Sequence, residues 1–201
     1  LARRGLFVSF GNASGPPPPI EGRQLMLNGS LFFTRQTMVD YQATTAELDE
    51  EIRARFRATH LSLARSVTEE WRSTPESRLA AVIVLDQFPR NIYRATPLAF
   101  STDGLALREA KMALAVGADH AVEGIRRTFF YMPFEHAEDL VEQDRSVVLF
   151  TALGDEEFRD YALRHRDVIA TYGRFPHRNA IVGRESSEAE LAYLALPGSG
   201  F

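Results

Sequence analysis

Two segments of the sequence place an adjacent arginine and asparagine shortly after a Phe-Pro pair, and in the second segment a histidine comes first. They contribute Arg90, Asn91 and Arg94 in the first case and His177, Arg178 and Asn179 in the second. Because a guanidinium forms paired hydrogen bonds with carboxylates and phosphates, these side chains could bind an anion. In the simpler interpretation both segments are turns, in which Phe packs, Arg bonds the last carbonyls of a helix and Asn bonds local backbone.

A histidine surrounded by carboxylates lies between the two Phe-Pro segments. The cluster comprises Glu135, His136, Glu138 and Asp139. On one helix His136 and Asp139 would share a face, so a carboxylate could orient the imidazole as a general base. The pair could instead hold a metal together with His177 or Asp144, or the acids could simply interact with a helix dipole. No known metal-ligand or nucleophile motif is present, so we predict neither a metal nor a cofactor.

Asp86 closes a strongly apolar stretch and is therefore expected to be buried. A buried carboxylate needs a partner, and Arg90 is the nearest one by helical spacing. We expect this pair to be structural rather than catalytic. Of the remaining histidines, we expect His165 to lie in the core or along a groove, and His60 and His120 to lie at the surface.

Bulk properties restrict the class of protein. The chain has 201 residues, a formal net charge of -4 and no cysteine. This length suits one domain, the charge argues against a general nucleic-acid binder, and the absence of cysteine excludes disulfides and thiolate chemistry. No apolar run reaches the roughly 18 residues that a membrane span requires. We therefore expect a cytoplasmic protein without a nucleic-acid or membrane partner, and we make no prediction of oligomeric state.

Apolar periodicity and capping signals predict helices along most of the chain. Thr45 is a candidate N-cap for the first helix, and the run 82–85 could alternatively be a buried strand. The second helix, which starts at Thr74-Pro75 and ends near Phe88, is apolar on nearly all sides and should be central. The expected helical ranges are 46–71, 75–88, 102–117, 119–131, 135–153, 155–172 and 191–196.

These ranges predict an all-α protein in which short connections pack successive helices antiparallel, as a bundle or a superhelical array. Residues 1–45 contain four consecutive prolines and little periodicity. We expect them to form an irregular arm that docks on a single helical domain covering residues 46–201.

Four motifs resemble one bacterial family, the domain of unknown function 924. They occupy residues 86–91, 136–140, 173–179 and 183–186. The resemblance covers residues 46–201 and implies a helical fold similar to tetratricopeptide arrays, without an established activity, cofactor or partner. Ala137 stands where the family usually has serine, and Ala95 where it usually has glycine. The tryptophan-phenylalanine pairs that are usual near the family's start are not evident here.

We predict that both Phe-Pro segments and residues 135–139 meet around one pocket, with Arg90, His136 and His177 lining it. The first functional hypothesis is binding of a small anion or an acidic peptide by this Arg/His pocket. The second is hydrolysis, in which His136 works with a nearby carboxylate and, in one version, a metal. The third is a structural module for protein–protein interaction.

Overall fold

A computed structural model describes the backbone of residues 38–122 and 124–199, and the side chains from residue 48 onward. This part of the chain contains nine α-helices, four short 3-10 helices and no β-strand, which confirms the all-α prediction. The α-helices are α1 (Met38–Arg65), α2 (Pro75–Asp86), α3 (Phe88–Ile92), α4 (Asp103–Ala115), α5 (Thr128–Glu135), α6 (Leu140–Leu153), α7 (Glu156–Tyr172), α8 (Asn179–Val182) and α9 (Glu188–Leu194). The 3-10 helices are Glu69–Arg72, Pro97–Phe100, Gly124–Arg127 and Pro176–Arg178. The resemblance to a tetratricopeptide superhelix stays a prediction.

Helix α2 forms the centre of the fold, as its sequence predicts. Every residue from 81 to 86 is buried, and the helix contacts α1, α4 and α5. Thr74 caps its start: its hydroxyl accepts a hydrogen bond from the Ser77 amide at 3.1 Å, and the Thr74 amide donates one to the Ser77 hydroxyl at 3.0 Å. This reciprocal cap and Pro75 at the first helical position favour helix over strand.

Helix α1 differs from its predicted bounds at both ends. It begins at Met38 rather than at residue 46, so Thr45 lies within the helix and is not its N-cap. It ends at Arg65, and Trp71 belongs to a separate 3-10 turn. The predicted irregular arm covered residues 1–45, and the part from residue 38 onward is helical instead. Residues 1–37 lie outside the described residues, so the docking of the arm stays a prediction.

The predicted helix 135–153 is interrupted. Helix α5 ends at Glu135, residues 136–139 form a connection, and α6 begins at Leu140. Asp139 causes the restart, because its Oδ1 accepts hydrogen bonds from the amides of Val141 at 2.8 Å and Glu142 at 3.2 Å. Residues 132–134 lie between the expected helices 119–131 and 135–153, but they are helical, and Pro133 lies inside α5.

The three other histidines divide between core and surface. His165 is buried within α7 and His120 is exposed, as predicted. His60 is only 2% exposed, which makes its surface assignment wrong. Its Nε2 lies 3.2 Å from the hydroxyl of Thr102, and this hydroxyl also donates to the carbonyl of Leu85 at 2.6 Å. Hydrogen bonding therefore compensates the burial of the imidazole.

Candidate functional site

A cavity of about 320 Å³ lies where the start of α4, the connection after α5 and the segment after α7 meet. Its polar lining consists of Asp103, His136, Glu138, Arg178 and Arg184, and its larger apolar residues are Phe100, Leu107, Pro133 and Val182. A concavity with a few convergent polar groups is the usual form of a small-molecule site.

His136 reaches this cavity because it directly follows the last residue of α5. Its amide donates to the carbonyl of Met132 at 2.9 Å and holds the residue at the helix end. Its Nδ1 lies 2.8 Å from Oδ1 of Asp86, the last residue of α2. A carboxylate only accepts hydrogen bonds, so Nδ1 carries the proton and Nε2 keeps a lone pair for the cavity.

Asp86 is ionised even though it is only 1% exposed. Burial raises its pKa, but His136 and Arg90 oppose this effect more strongly and the resulting pKa is about 2. Gln87 also donates a hydrogen bond to the second carboxylate oxygen. Burial lowers the pKa of His136 below its ordinary value, which makes the imidazole neutral at neutral pH. The pair is therefore a carboxylate that orients a neutral base.

Arg90 confirms the expected pairing with Asp86 but lies behind the cavity. Its Nη1 is 3.6 Å from Oδ1 of Asp86 and also donates to the main-chain carbonyl of that residue, the last in α2. Two further bonds of 2.9 Å and 3.0 Å join its guanidinium to both oxygens of Asp103. Arg90 therefore fixes the end of α2 to the start of α4.

Arg178 is the least satisfied of the arginines at this site. Gly173, whose φ of +68° suits glycine, ends α7, and the following 3-10 turn carries Arg178 to the cavity. The guanidinium carbon lies 4.7 Å from the ring centre of Phe100 and 4.5 Å from that of Phe175. Among the described residues its single hydrogen bond is a long one, 3.4 Å from Nη1 to Asp103, and its Nε has no partner.

The environment of Arg178 disfavours its charge without removing it. The residue is 8% exposed. Burial and the nearby Arg90 lower its pKa to about 10. The side chain is therefore still cationic at neutral pH, in a place where an anionic partner would stabilise it.

Glu138 and Arg184 form a closed pair at the cavity edge. Arg184 donates to both carboxylate oxygens of Glu138, at 2.6 Å and 2.9 Å, and the amide of Phe175 adds a third bond at 2.8 Å. Burial raises the pKa of Glu138, but the hydrogen bonds from Arg184 and from the Phe175 amide lower it by more, so the resulting pKa is below the ordinary value. This pair joins the connection after α5 to the second Phe-Pro segment.

Three predicted ligand residues connect helices instead of lining the cavity. Asn91 and Arg94 both bind Asp49 of α1, with bonds of 2.9 Å from Asn91 Nδ2 and of 2.5 Å and 2.9 Å from Arg94. Asn179 donates to the hydroxyl of Ser186 at 3.0 Å and to Glu190 of α9 at 3.3 Å. Their hydrogen bonds order the backbone around the cavity.

The proposed pairing of His136 with Asp139 is wrong in this structure. Asp139 caps α6, and Asp86 is the carboxylate that binds the imidazole. Glu135 is buried with Oε1 3.3 Å from His165 Nδ1, and burial and Asp86 raise its pKa to about 8. Glu135 does not line the cavity.

The prediction that both Phe-Pro segments and residues 135–139 surround one pocket lined by Arg90, His136 and His177 is wrong. The first segment contributes no residue to this lining and is joined to the site only through the pairs of Arg90 with Asp86 and Asp103. Only His136 of these three lines the cavity. His177 lies beside it, and burial together with Arg178 lowers its pKa to about 4. Sequence reasoning missed Phe100, Asp103 and Arg184 as site residues. Only Arg184 carried a signal, since it belongs to one of the four motifs.

The possible metal site receives no support from the part of the chain that is described. No group of three potential metal ligands occurs among those residues. Asp144, one suggested ligand, is exposed and accepts a 2.9 Å hydrogen bond from Arg166. None of the helices in residues 38–122 and 124–199 is both long and apolar enough to cross a membrane.

Comparison with known proteins places this geometry in a family. A solved structure of a protein of unknown function from Agrobacterium tumefaciens superposes with a TM-score of 0.72 at 43% sequence identity, covering 75% of this chain and 85% of that one. A quinone oxidoreductase of Salmonella typhimurium is 50% identical over 50 residues, which are 25% of this chain and 15% of that protein. The family described as "Bacterial protein of unknown function (DUF924)" matches residues 30–198, and the chain therefore belongs to this bacterial family.

Proposed function

We propose that the cavity binds a small anion through Arg178. The observation that carries this proposal is the contrast among the arginines of the site. Arg90 and Arg184 each form a bidentate pair with a carboxylate, whereas Arg178 has no bidentate partner among the described residues and only one long hydrogen bond, to Asp103. A cavity of about 320 Å³ suits a small molecule or one acidic side chain of a peptide.

The two phenylalanines beside Arg178 support this role. The guanidinium carbon lies 4.7 Å from the ring centre of Phe100 and 4.5 Å from that of Phe175, and these two contacts restrict its motion, so its remaining donors need little reorganisation to meet an anion. Ordered donors in a partly buried site bind a charge more strongly than mobile surface donors. The 50-residue match to a quinone oxidoreductase covers too little of that protein to support a redox role.

Calorimetric titration with small carboxylates and with inorganic phosphate tests the binding function. We expect saturable binding to the wild type that weakens with added salt. Arg178→Met should reduce the affinity by at least about tenfold, the loss expected for one charge-assisted interaction. Arg166→Met is the matched control, because Arg166 is exposed and does not line the cavity. Binding that Arg178→Met leaves unchanged would refute the proposed site.

General-base hydrolysis is a second candidate, and the 2.8 Å bond between Asp86 and His136 favours it. None of the described residues that line the cavity is serine, threonine, cysteine or lysine, so the nucleophile would be water. Nε2 of His136 would take a proton from water as its oxygen attacks an ester carbonyl, and would return that proton to the departing alkoxide. Asp86 would stabilise the transient imidazolium.

A panel of small carboxylic and phosphate esters tests this second candidate. We expect turnover that falls about 10²- to 10⁴-fold in His136→Asn, the usual contribution of a general base. Asparagine suits the test because its amide nitrogen can replace Nδ1 as donor to Asp86 while it supplies no base. Turnover should persist below pH 6.5, since the pKa of His136 lies below its ordinary value. Absence of turnover across the panel, with anion binding intact, would leave binding as the function.

A further inference from the structure

We infer that the ligand is a small carboxylate with an apolar body, and that His136 takes up a proton when this ligand binds. The inference depends on the proposed function, because it specifies the chemistry of the anion that Arg178 receives. Two independent properties of the cavity lead to it, its apolar lining and its balance of charge.

The apolar lining indicates that the anion is organic. Phe100, Leu107, Pro133 and Val182 line the same cavity as Arg178 and His136. An inorganic anion would leave this apolar surface in contact with water. A carboxylate that carries a short hydrocarbon chain would cover it, and each buried methylene should strengthen binding about threefold to fourfold.

The charges that surround His136 are balanced before any ligand binds. Three of the surrounding groups are guanidiniums, those of Arg90 on α3, Arg178 on the 3-10 turn after α7 and Arg184 after α8. Three are carboxylates, those of Asp86 on α2, Asp103 on α4 and Glu138 after α5. The other titratable neighbours are uncharged at neutral pH: Glu135, whose pKa is about 8, and the imidazoles of His165 and His177, whose pKa values are lowered by burial.

A bound carboxylate would pair with Arg178 and give this balanced set a net charge of minus one. His136 is the group positioned to neutralise it, because it lines the cavity and its Nδ1 is already committed to Asp86. Protonation at Nε2 would place an imidazolium between Asp86 and the ligand. A carboxylate carries one negative charge, as this exchange requires, whereas a phosphate monoester carries nearly two at neutral pH.

Reciprocity between the two binding events gives a measurable consequence. If the ligand raises the proton affinity of His136, protons must raise the affinity for the ligand by the same factor. Burial lowers the pKa of His136 in the free protein, so the free imidazole is mostly neutral near pH 7. The affinity should therefore increase as the pH falls, by up to about tenfold per pH unit for one whole proton.

Isothermal titration with acetate, butyrate, hexanoate and inorganic phosphate tests both parts of the inference. Titrations at pH 6, 7 and 8, in two buffers of different ionisation enthalpy, report the number of protons taken up. We expect affinity to rise about threefold to fourfold per methylene, phosphate to bind more weakly than hexanoate, and close to one proton to be taken up per hexanoate. His136→Asn should bind hexanoate without proton uptake, and His120→Asn, at an exposed histidine outside the cavity, should behave as wild type.

Each contrary result has a distinct meaning. Equal affinity for acetate and hexanoate, or stronger binding of phosphate, would overturn the ligand class while leaving anion binding in place. Hexanoate binding without proton uptake by the wild type would overturn the role of His136. If the wild type binds none of these carboxylates and no phosphate, the proposed function and this inference are overturned together. If His136→Asn does not fold, an NMR titration of His136 in the wild type decides, and an unchanged pKa in saturating hexanoate would overturn proton uptake.

Discussion

Replacing Arg178 by methionine should stabilise the folded protein while it removes anion binding. Arg178 is buried, cationic and poorly paired, so the fold keeps a charge that it does not stabilise well. Methionine keeps the unbranched stem of arginine and packs well against aromatic rings, which suits a position beside Phe100 and Phe175. Asp103 is not left unpaired in this variant, because Arg90 still binds both of its oxygens.

The expected size of the effect follows from two opposing contributions. The pKa of Arg178 is about 10 against the ordinary 12.5. At 1.36 kcal/mol for each pH unit, this lowering corresponds to a penalty of about 3 kcal/mol on the charged folded state. Because neutral pH lies below both values, the whole penalty is present there. Loss of two cation–π contacts, at about 1 kcal/mol each, offsets much of this gain. The net stabilisation is therefore about 1 kcal/mol.

Urea denaturation at pH 7 measures this difference, and the melting temperature should rise by about 2 to 4 °C for a chain of this size. Arg90→Met is the matched control, since it makes the same replacement at an arginine that is well paired. It should destabilise the fold by about 3 kcal/mol or more, because it deprives Asp86 and Asp103 of a partner. If Arg178→Met is destabilising by more than about 1 kcal/mol, Arg178 is a structural residue like Arg90 and the contrast behind the proposed function is lost.

Three further substitutions test separate parts of the structure. Ala95 adopts a φ of +59°, so Ala95→Gly should stabilise the fold by up to about 1 kcal/mol in chemical denaturation, and a loss of stability would contradict the strain. Asp139→Ala should cost about 1 kcal/mol, the value of a helix cap, and leave hexanoate affinity unchanged; a large change in affinity would restore Asp139 to the site. The raised pKa of Glu135, about 8, means that wild-type stability falls from the unfolded-state pKa of 4.5 up to pH 8. Glu135→Gln should therefore match the wild type near pH 5 and exceed it by a few kcal/mol at pH 8, whereas parallel stability–pH curves would refute this assignment.

The helical frame was predictable because its signals are local. The cap at Thr74 and Pro75 lies within one turn of the helix that it starts, and the apolar run 81–85 lies within α2 itself. The pairing of Asp86 with Arg90 was predictable for the same reason, since the two residues are four apart. The local apolar periodicity also gave a wrong prediction, because it placed residues 136–139 inside one continuous helix, whereas they connect α5 and α6. The hydrogen bonds from Val141 and Glu142 to Asp139 gave a helix start there instead.

The partner of His136 could not be read from the sequence. Asp86 is 50 residues away, and only the packing of α2 against α5 brings it within 2.8 Å. Carboxylates at neighbouring positions were more plausible by spacing, but each has another partner: Asp139 binds the first amides of α6 and Glu138 binds Arg184. Asp103 was overlooked for a similar reason, because an acid in the first turn of a helix is already explained by the helix dipole.

The two Phe-Pro segments look alike in sequence because both deliver an arginine to Asp103, yet geometry gives these arginines different roles. Arg90 arrives first in the chain and binds both oxygens of Asp103 at 2.9 Å and 3.0 Å. Arg178 also donates to Oδ2 of Asp103, but only over 3.4 Å, although a carboxylate in a bidentate pair keeps lone pairs for a second donor. Because this bond is long and single, Arg178 keeps donors for a ligand. Arg90, which does not line the cavity, instead holds Asp103 in place at the cavity wall.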